Sequence, residues 1–171
     1  MCDCAAMARQ SIKKNALESV AFYNKNMQKA IKERKFVESH MKKALDNNEF
    51  IIYLQPKFSI SSGEAIGYEA LVRWQSAERG MIYPNGFIPL FEENGFITKL
   101  DAYVWECACM VLRDWIDRHF TPLPISVNVS RANLDDESFL DVLDGLIDKY
   151  RLPKHLLELE ITESIENDAT L

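Results

Sequence analysis

At 171 residues, with 47% hydrophobic and 27% charged residues, the chain is long enough to bury a substantial core and has the balance of a globular protein. Its net charge of −6 sets it apart from proteins that grip nucleic-acid polymers with a basic face, yet a small anion could still be held by one arginine and a metal. The sequence holds no apolar run of about 18 residues and no apolar signal core at its start, so we expect no membrane contact by this segment and a cytoplasmic location.

Taken in chain order, residues 3–14 read as a helix, with Asp3 as cap and Ala5, Ala6, Met7 and Ala8 behind it. Ser19 to Tyr23 form a short strand candidate. Residues 26–47 are charged and helix-prone, with Phe36, Met41 and Ala44 as a sparse apolar stripe. Residues 50–60 are rich in Ile, Tyr and Phe and read as a strand. Ser61-Ser62-Gly63 is its turn, and 65–74 is the second strand. A short helix over 87–94 stops at Gly95. Thr98 opens a long helix to about 120, with Leu100, Val104, Cys107, Ala108, Val111, Leu112 and Trp115 on one broad face. Pro122 and Pro124 end that connection. A third strand at 125–130, a helix at 138–150, an exit at Pro153 and a fourth strand at 156–164 follow. Strands separated by helical crossovers predict an α/β protein with parallel pairing.

Three of these strands carry polar residues where a doubly buried strand should be apolar. They are Gly67-Tyr68-Glu69-Ala70-Leu71-Val72-Arg73-Trp74, Ile125-Ser126-Val127-Asn128-Val129-Ser130 and Leu157-Glu158-Leu159-Glu160-Ile161-Thr162-Glu163-Ser164. Side chains alternate across a strand, so Gly67, Glu69, Leu71 and Arg73 share one face. Ser126, Asn128 and Ser130 share another, as do Glu158, Glu160 and Thr162. If these faces line one interior, Glu69, Asn128 and Glu160 converge near the carboxyl ends of the strands. Their oxygen donors suit Mg²⁺ or Mn²⁺. The plainer alternative is a half-exposed sheet showing polar residues to water. Arg73 can fork onto a phosphate or make an ordinary ion pair. Glu163 faces away from Glu160. Cys2, Cys4, Cys107 and Cys109 fall in C-x-C pairs, unlike the C-x-x-C of zinc sites, and read as free thiols. His40, His119 and His155 lack a nucleophile partner in any recognisable pattern. Trp105 and Trp115 read as helix core.

Gln55-Pro56-Lys57, Glu69-Ala70-Leu71, Pro84-Asn85-Gly86-Phe87-Ile88, Glu92-Glu93-Asn94-Gly95-Phe96-Ile97, Asn128-Val129-Ser130 and Glu160-Ile161-Thr162-Glu163-Ser164 stand in an order that resembles the EAL family of cyclic di-GMP phosphodiesterases. The resemblance covers residue 50 to the end, about the first half of such a domain. It implies the first half of a TIM-like (β/α)8 barrel, with the first strand antiparallel to the rest and an N-terminal helical segment before it. It implies hydrolysis of cyclic di-GMP to pGpG by metal-activated water, with Glu69, Asn128 and Glu160 as metal ligands. Gln55, Leu71 and Arg73 would lie along the ligand, and Glu163 would steady a loop. Residues 1–25 resemble, more faintly, the end of a GGDEF domain, which leaves 26–49 as a connecting helix and 50–171 as a partial EAL domain. The family's Asp-Asp pair, lysine and water-activating glutamate would fall beyond Leu171. On that basis residues 1–171 alone are expected to be without turnover and to hold metal weakly. An open half barrel is expected to self-associate through its unpaired edge. The alternative is a degenerate, non-catalytic module that binds cyclic di-GMP or a protein partner.

Overall fold

The computed structural model describes residues 25–136 and 138–161. It divides into two compact units, 1–42 and 43–171. Helix α1 (Lys25–Asp46) runs through the boundary, as the charged, helix-prone composition predicts. Within the first unit His40 stacks on Phe36 with ring centroids 4.2 Å apart, and Arg34 pairs with Glu38 one turn on. The expected helix at 3–14, the strand at 19–23 and Thr162, Glu163 and Ser164 lie outside the described residues, as do Cys2 and Cys4.

The second unit is a mixed sheet covered by helices. Its elements are β1 (Phe50–Phe58), β2 (Ala65–Ser76), β3 (Gly80–Ile82), α2 (Ile88–Asn94), α3 (Ile97–Asp117), β4 (Ile125–Val129), α4 (Arg131–Leu134), α5 (Ser138–Tyr150) and β5 (Leu157–Ile161). Sheet order is β1-β2-β4-β5, with β3 as an extra partner of β2. β1 lies antiparallel to β2, while β2–β4 and β4–β5 are parallel. This is the expected arrangement: one reversed strand, then parallel strands joined by helices. The short β3 was not foreseen, because three residues are too few for period 2 to register. The same holds for the four-residue α4.

Trp74 and Ala70 of β2, Phe50 of β1 and Ile125, Val127 and Val129 of β4 pack beneath α2 and α3. Phe50, Trp74, Phe87, Phe91 and Phe96 form a chain of ring contacts, with centroids 4.8 to 6.0 Å apart. Trp74 Nε1 donates to Glu49 at 2.9 Å, so its one polar atom is satisfied. Gly95 ends α2 at φ 75°, a left-handed cap that turns the chain directly into α3.

The buried face of α3 differs from the expected one. It runs through Ile97, Leu100, Asp101, Val104, Trp105, Ala108, Cys109 and Leu112. Cys107 is half-buried, as are Val111 and Trp115. The stripe is rotated because Asp101, Trp105 and Cys109, spaced four apart, face the sheet. An aspartate in a buried stripe is invisible to an apolar count. Cys109 and Cys107 are free thiols. Burial, then nearby Glu106, pushes the pKa of the fully buried Cys109 thiol up to about 11.

Candidate functional site

β2 pairs with β1 in a register that sets Gln55 opposite Glu69, Tyr53 opposite Leu71 and Lys57 opposite Gly67. β4 pairs with β5 so that Ser126 faces Glu158 and Asn128 faces Glu160. The odd positions of β1 and β2 and the even positions of β4 and β5 therefore form one polar face, opposite the helix-covered one. Glu69, Asn128 and Glu160 all stand on it, at intermediate exposure. Asn128 Nδ2 lies 3.4 Å from Glu69 Oε1. The structure thus brings the three candidate ligands onto adjacent strands. Glu69 and Asn128 also line a cavity of about 300 Å³ beside the middle of β2 and the end of β4, with Leu71, Pro84, Asp101 and Ser130. Glu160 stands one strand over. A larger, more open hollow of about 630 Å³ beside Phe50, Ile52, Tyr103 and Met110 is mainly apolar and includes none of these three.

Lys57 is the principal residue of this face that the sequence reading left without a role. Its ammonium donates to Glu158 Oε2 at 2.9 Å, to Glu160 Oε1 at 3.3 Å and to the Ser126 hydroxyl. Ser126 in turn donates to Glu158 Oε2 at 2.9 Å. The lysine stem crosses β2 over Gly67. A Cβ at Gly67 would come within 3.3 Å of Lys57 Cε and 3.0 Å of the Pro124 carbonyl. Burial alone would lower the Lys57 pKa, but its hydrogen bonds and charge interactions with Glu158 and Glu160 more than reverse this and raise it. The Lys57 hydrogen bond, then that of Ser126, holds Glu158 below the usual carboxylate range. Only the register identifies Lys57; in the sequence it is a lysine near a strand end.

Two residues of α3 fix the end of β4. Trp105 Nε1 donates to the Asn128 carbonyl at 3.0 Å, a role beyond packing. The buried Asp101 carboxylate accepts from the Ser130 backbone N–H at 2.9 Å and from Asn133 Nδ2 at 2.7 Å. Asp101 and Trp105 are one turn apart, so a single helical face grips the strand end on both sides of Val129. Burial raises the Asp101 pKa, while the Ser130 and Asn133 hydrogen bonds oppose that rise.

Gln55 is exposed on β1, across from Glu69, and Leu71 lines the cavity. Arg73 sits further along β2. Its guanidinium donates to its own neighbour's carbonyl, Val72, at 2.8 Å and lies 5.7 Å from the ring centroids of both Tyr53 and Tyr83. Oxygen donors from three neighbouring strands, with an amide and an arginine beside them, suit a hard divalent cation and a phosphate ester. Among the described residues no group of three or more His, Cys, Asp or Glu converges as a metal cage.

A reversed first strand followed by parallel strands joined by helices, with acid and amide groups on one face, is what the resemblance implies for part of a (β/α)8-type barrel. Residues 38–171 match the model of the EAL domain, and the chain belongs to that family. It is 38% identical over 131 residues to an uncharacterized protein of Mycobacterium bovis, covering 76% of this chain and 43% of that one. It is 31% identical over 144 residues to the bifunctional diguanylate cyclase/cyclic di-GMP phosphodiesterase MucR of Pseudomonas aeruginosa, covering 84% of this chain and 21% of that one. Among solved structures it resembles the PaMucR phosphodiesterase in complex with c-di-GMP, with a TM-score of 0.70 and 31% identity over 78% of this chain and 54% of that one. The FimX EAL domain of Pseudomonas aeruginosa bound to c-di-GMP gives a TM-score of 0.65 at 26% identity, covering 73% and 49%. The chain spans less than half the length of the curated relatives just named and about half of the two solved domains. Among the described residues no helix is long and apolar enough to cross a membrane.

Proposed function

We propose that this chain carries the first half of a cyclic di-GMP phosphodiesterase site, in which Glu69, Asn128 and Glu160 contribute metal ligands and Gln55, Leu71 and Arg73 hold the dinucleotide. The observation that carries this reading is the shared face: the Asn128 amide lies 3.4 Å from Glu69 and in register with Glu160. Their oxygens would hold Mg²⁺ or Mn²⁺, and such an ion, when bound, supplies charge neutralisation and activation of water for attack on a phosphodiester. The chain's own part is placement. Trp105 and Asp101 fix the backbone on either side of Val129, so the Asn128 amide is presented from a rigid strand end. Lys57 restrains the Glu160 carboxylate from below and offsets part of the acidic charge. Gln55, exposed across from Glu69, can donate to a phosphate or ribose oxygen, and Arg73 can fork onto a phosphate. The product would be the linear dinucleotide pGpG. Glu163 would steady a loop beside this site.

Calorimetric titration with cyclic di-GMP in Mg²⁺ tests this. We expect saturable binding that falls about tenfold or more in Arg73→Ala, the loss of one charge-assisted phosphate contact. Absent binding, or affinity unchanged in Arg73→Ala and Gln55→Ala, contradicts the reading. Metal-dependent formation of pGpG separates a catalytic domain from a module that only binds.

A further inference from the structure

Arg73 stands in a stripe that runs across three antiparallel strands. Tyr53 of β1 faces Leu71, one inward-facing position from Arg73 on the same side of β2. On the other edge of β2, β3 pairs Trp74 with Ile82, and Tyr83 follows directly, in line with Arg73. The guanidinium carbon lies 5.7 Å from each ring centroid. Both rings are largely exposed, Tyr53 at 51% and Tyr83 at 65%, so neither is core. Exposed tyrosines that bracket a cation do little for folding but restrict where that cation can go. An unrestrained arginine side chain has rotamer freedom to lose when it binds.

We infer that Tyr53 and Tyr83 are positioning residues for Arg73: the two ring faces hold the guanidinium in place for a phosphate of the ligand. This rests on the proposed role of Arg73. It also gives β3 a purpose, since that three-residue strand delivers Tyr83 to the side of Arg73 away from β1. The effect would reach the ligand through Arg73 and not by direct contact.

The test is a double-mutant cycle on the full chain, read as cyclic di-GMP affinity by calorimetry. Tyr53→Leu and Tyr83→Leu should each weaken binding by about two- to fivefold, because Arg73 then has more rotamer freedom to lose when the ligand binds. Tyr53→Phe and Tyr83→Phe keep the ring and should restore affinity. In an Arg73→Ala background the Leu substitutions should have no further effect. A second readout needs no ligand. The Arg73 Nε–H resonance should be ring-current shifted in the wild type and lose that shift in the double Leu variant, with cooperative unfolding retained. Leu variants that bind as wild type overturn the inference while leaving the proposed function intact. So do Leu variants that lose affinity equally with and without Arg73, because the tyrosines would then touch ligand themselves. An unshifted Arg73 resonance in the wild type also overturns it. Failure of the wild type to bind cyclic di-GMP overturns the proposed function and this inference together.

Discussion

At the scale of single residues, the site rests on two buried or half-buried charges that touch its flanks. Asp101 has two hydrogen-bond donors and a largely buried carboxylate. Asp101→Ala leaves the Ser130 N–H and the Asn133 amide without their acceptor and should cost about 1–3 kcal/mol by urea denaturation. Asp101→Asn removes a charge that burial disfavours and keeps an acceptor, so it should cost clearly less. Equal losses would mean that packing, not the acceptor, matters here. Lys57 gives a pH signature. Its folded pKa is raised, so its contribution is complete below the ordinary lysine value of 10.5 and lost as pH rises through the folded value. The folded pKa of Glu158 is lowered, so its contribution is present above the ordinary 4.5 and lost as pH falls through the folded value. The stability gap between wild type and Lys57→Met should therefore be widest between these limits, about 1 kcal/mol after solvent screening, and shrink on both sides. A gap that stays constant down to pH 2, or about that, would show that the Glu158 pair contributes nothing.

At the scale of elements, Gly67 is the point where three strands meet closely. A methyl there would press on the Pro124 carbonyl at 3.0 Å and on the Lys57 stem. Gly67→Ala should cost about 1–3 kcal/mol and loosen the β2–β4 pairing, which holds only Tyr68–Ile125 and Glu69–Ser126. Faster amide exchange at Tyr68, which donates to Pro124, would report it. Gly95→Ala meets open space, so its cost of about 1 kcal/mol should come from the left-handed backbone alone. Most elements were legible because long periodic runs, Gly95 and the prolines mark them. The rotation of α3 was not. Asp101 belongs to the buried stripe by virtue of its polar partners, Ser130 and Asn133, which no periodicity reveals; Trp105 reads as core from the sequence, but its hydrogen bond to the Asn128 carbonyl does not.

At the scale of the whole molecule, strand parity grouped Glu69 with Arg73, Asn128 with Ser126 and Glu160 with Glu158, and the cross-strand register sets these groups on one face. Parity could not find Lys57, whose reach depends on the register of β1 against β2 and on the gap at Gly67, nor the pairing of Tyr53 and Tyr83 around Arg73. Cross-strand neighbours are a property of the assembled sheet. In the proposed function, three oxygen donors on three strands act as one metal centre. Titration with Mn²⁺, followed by paramagnetic broadening in NMR, tests it most directly because it detects weak binding. The Asn128 side-chain amide and the backbone amides of Glu69 and Glu160 should broaden first, and Glu69→Ala should shift this to much higher Mn²⁺. Broadening centred elsewhere, or unchanged in Glu69→Ala, would contradict it.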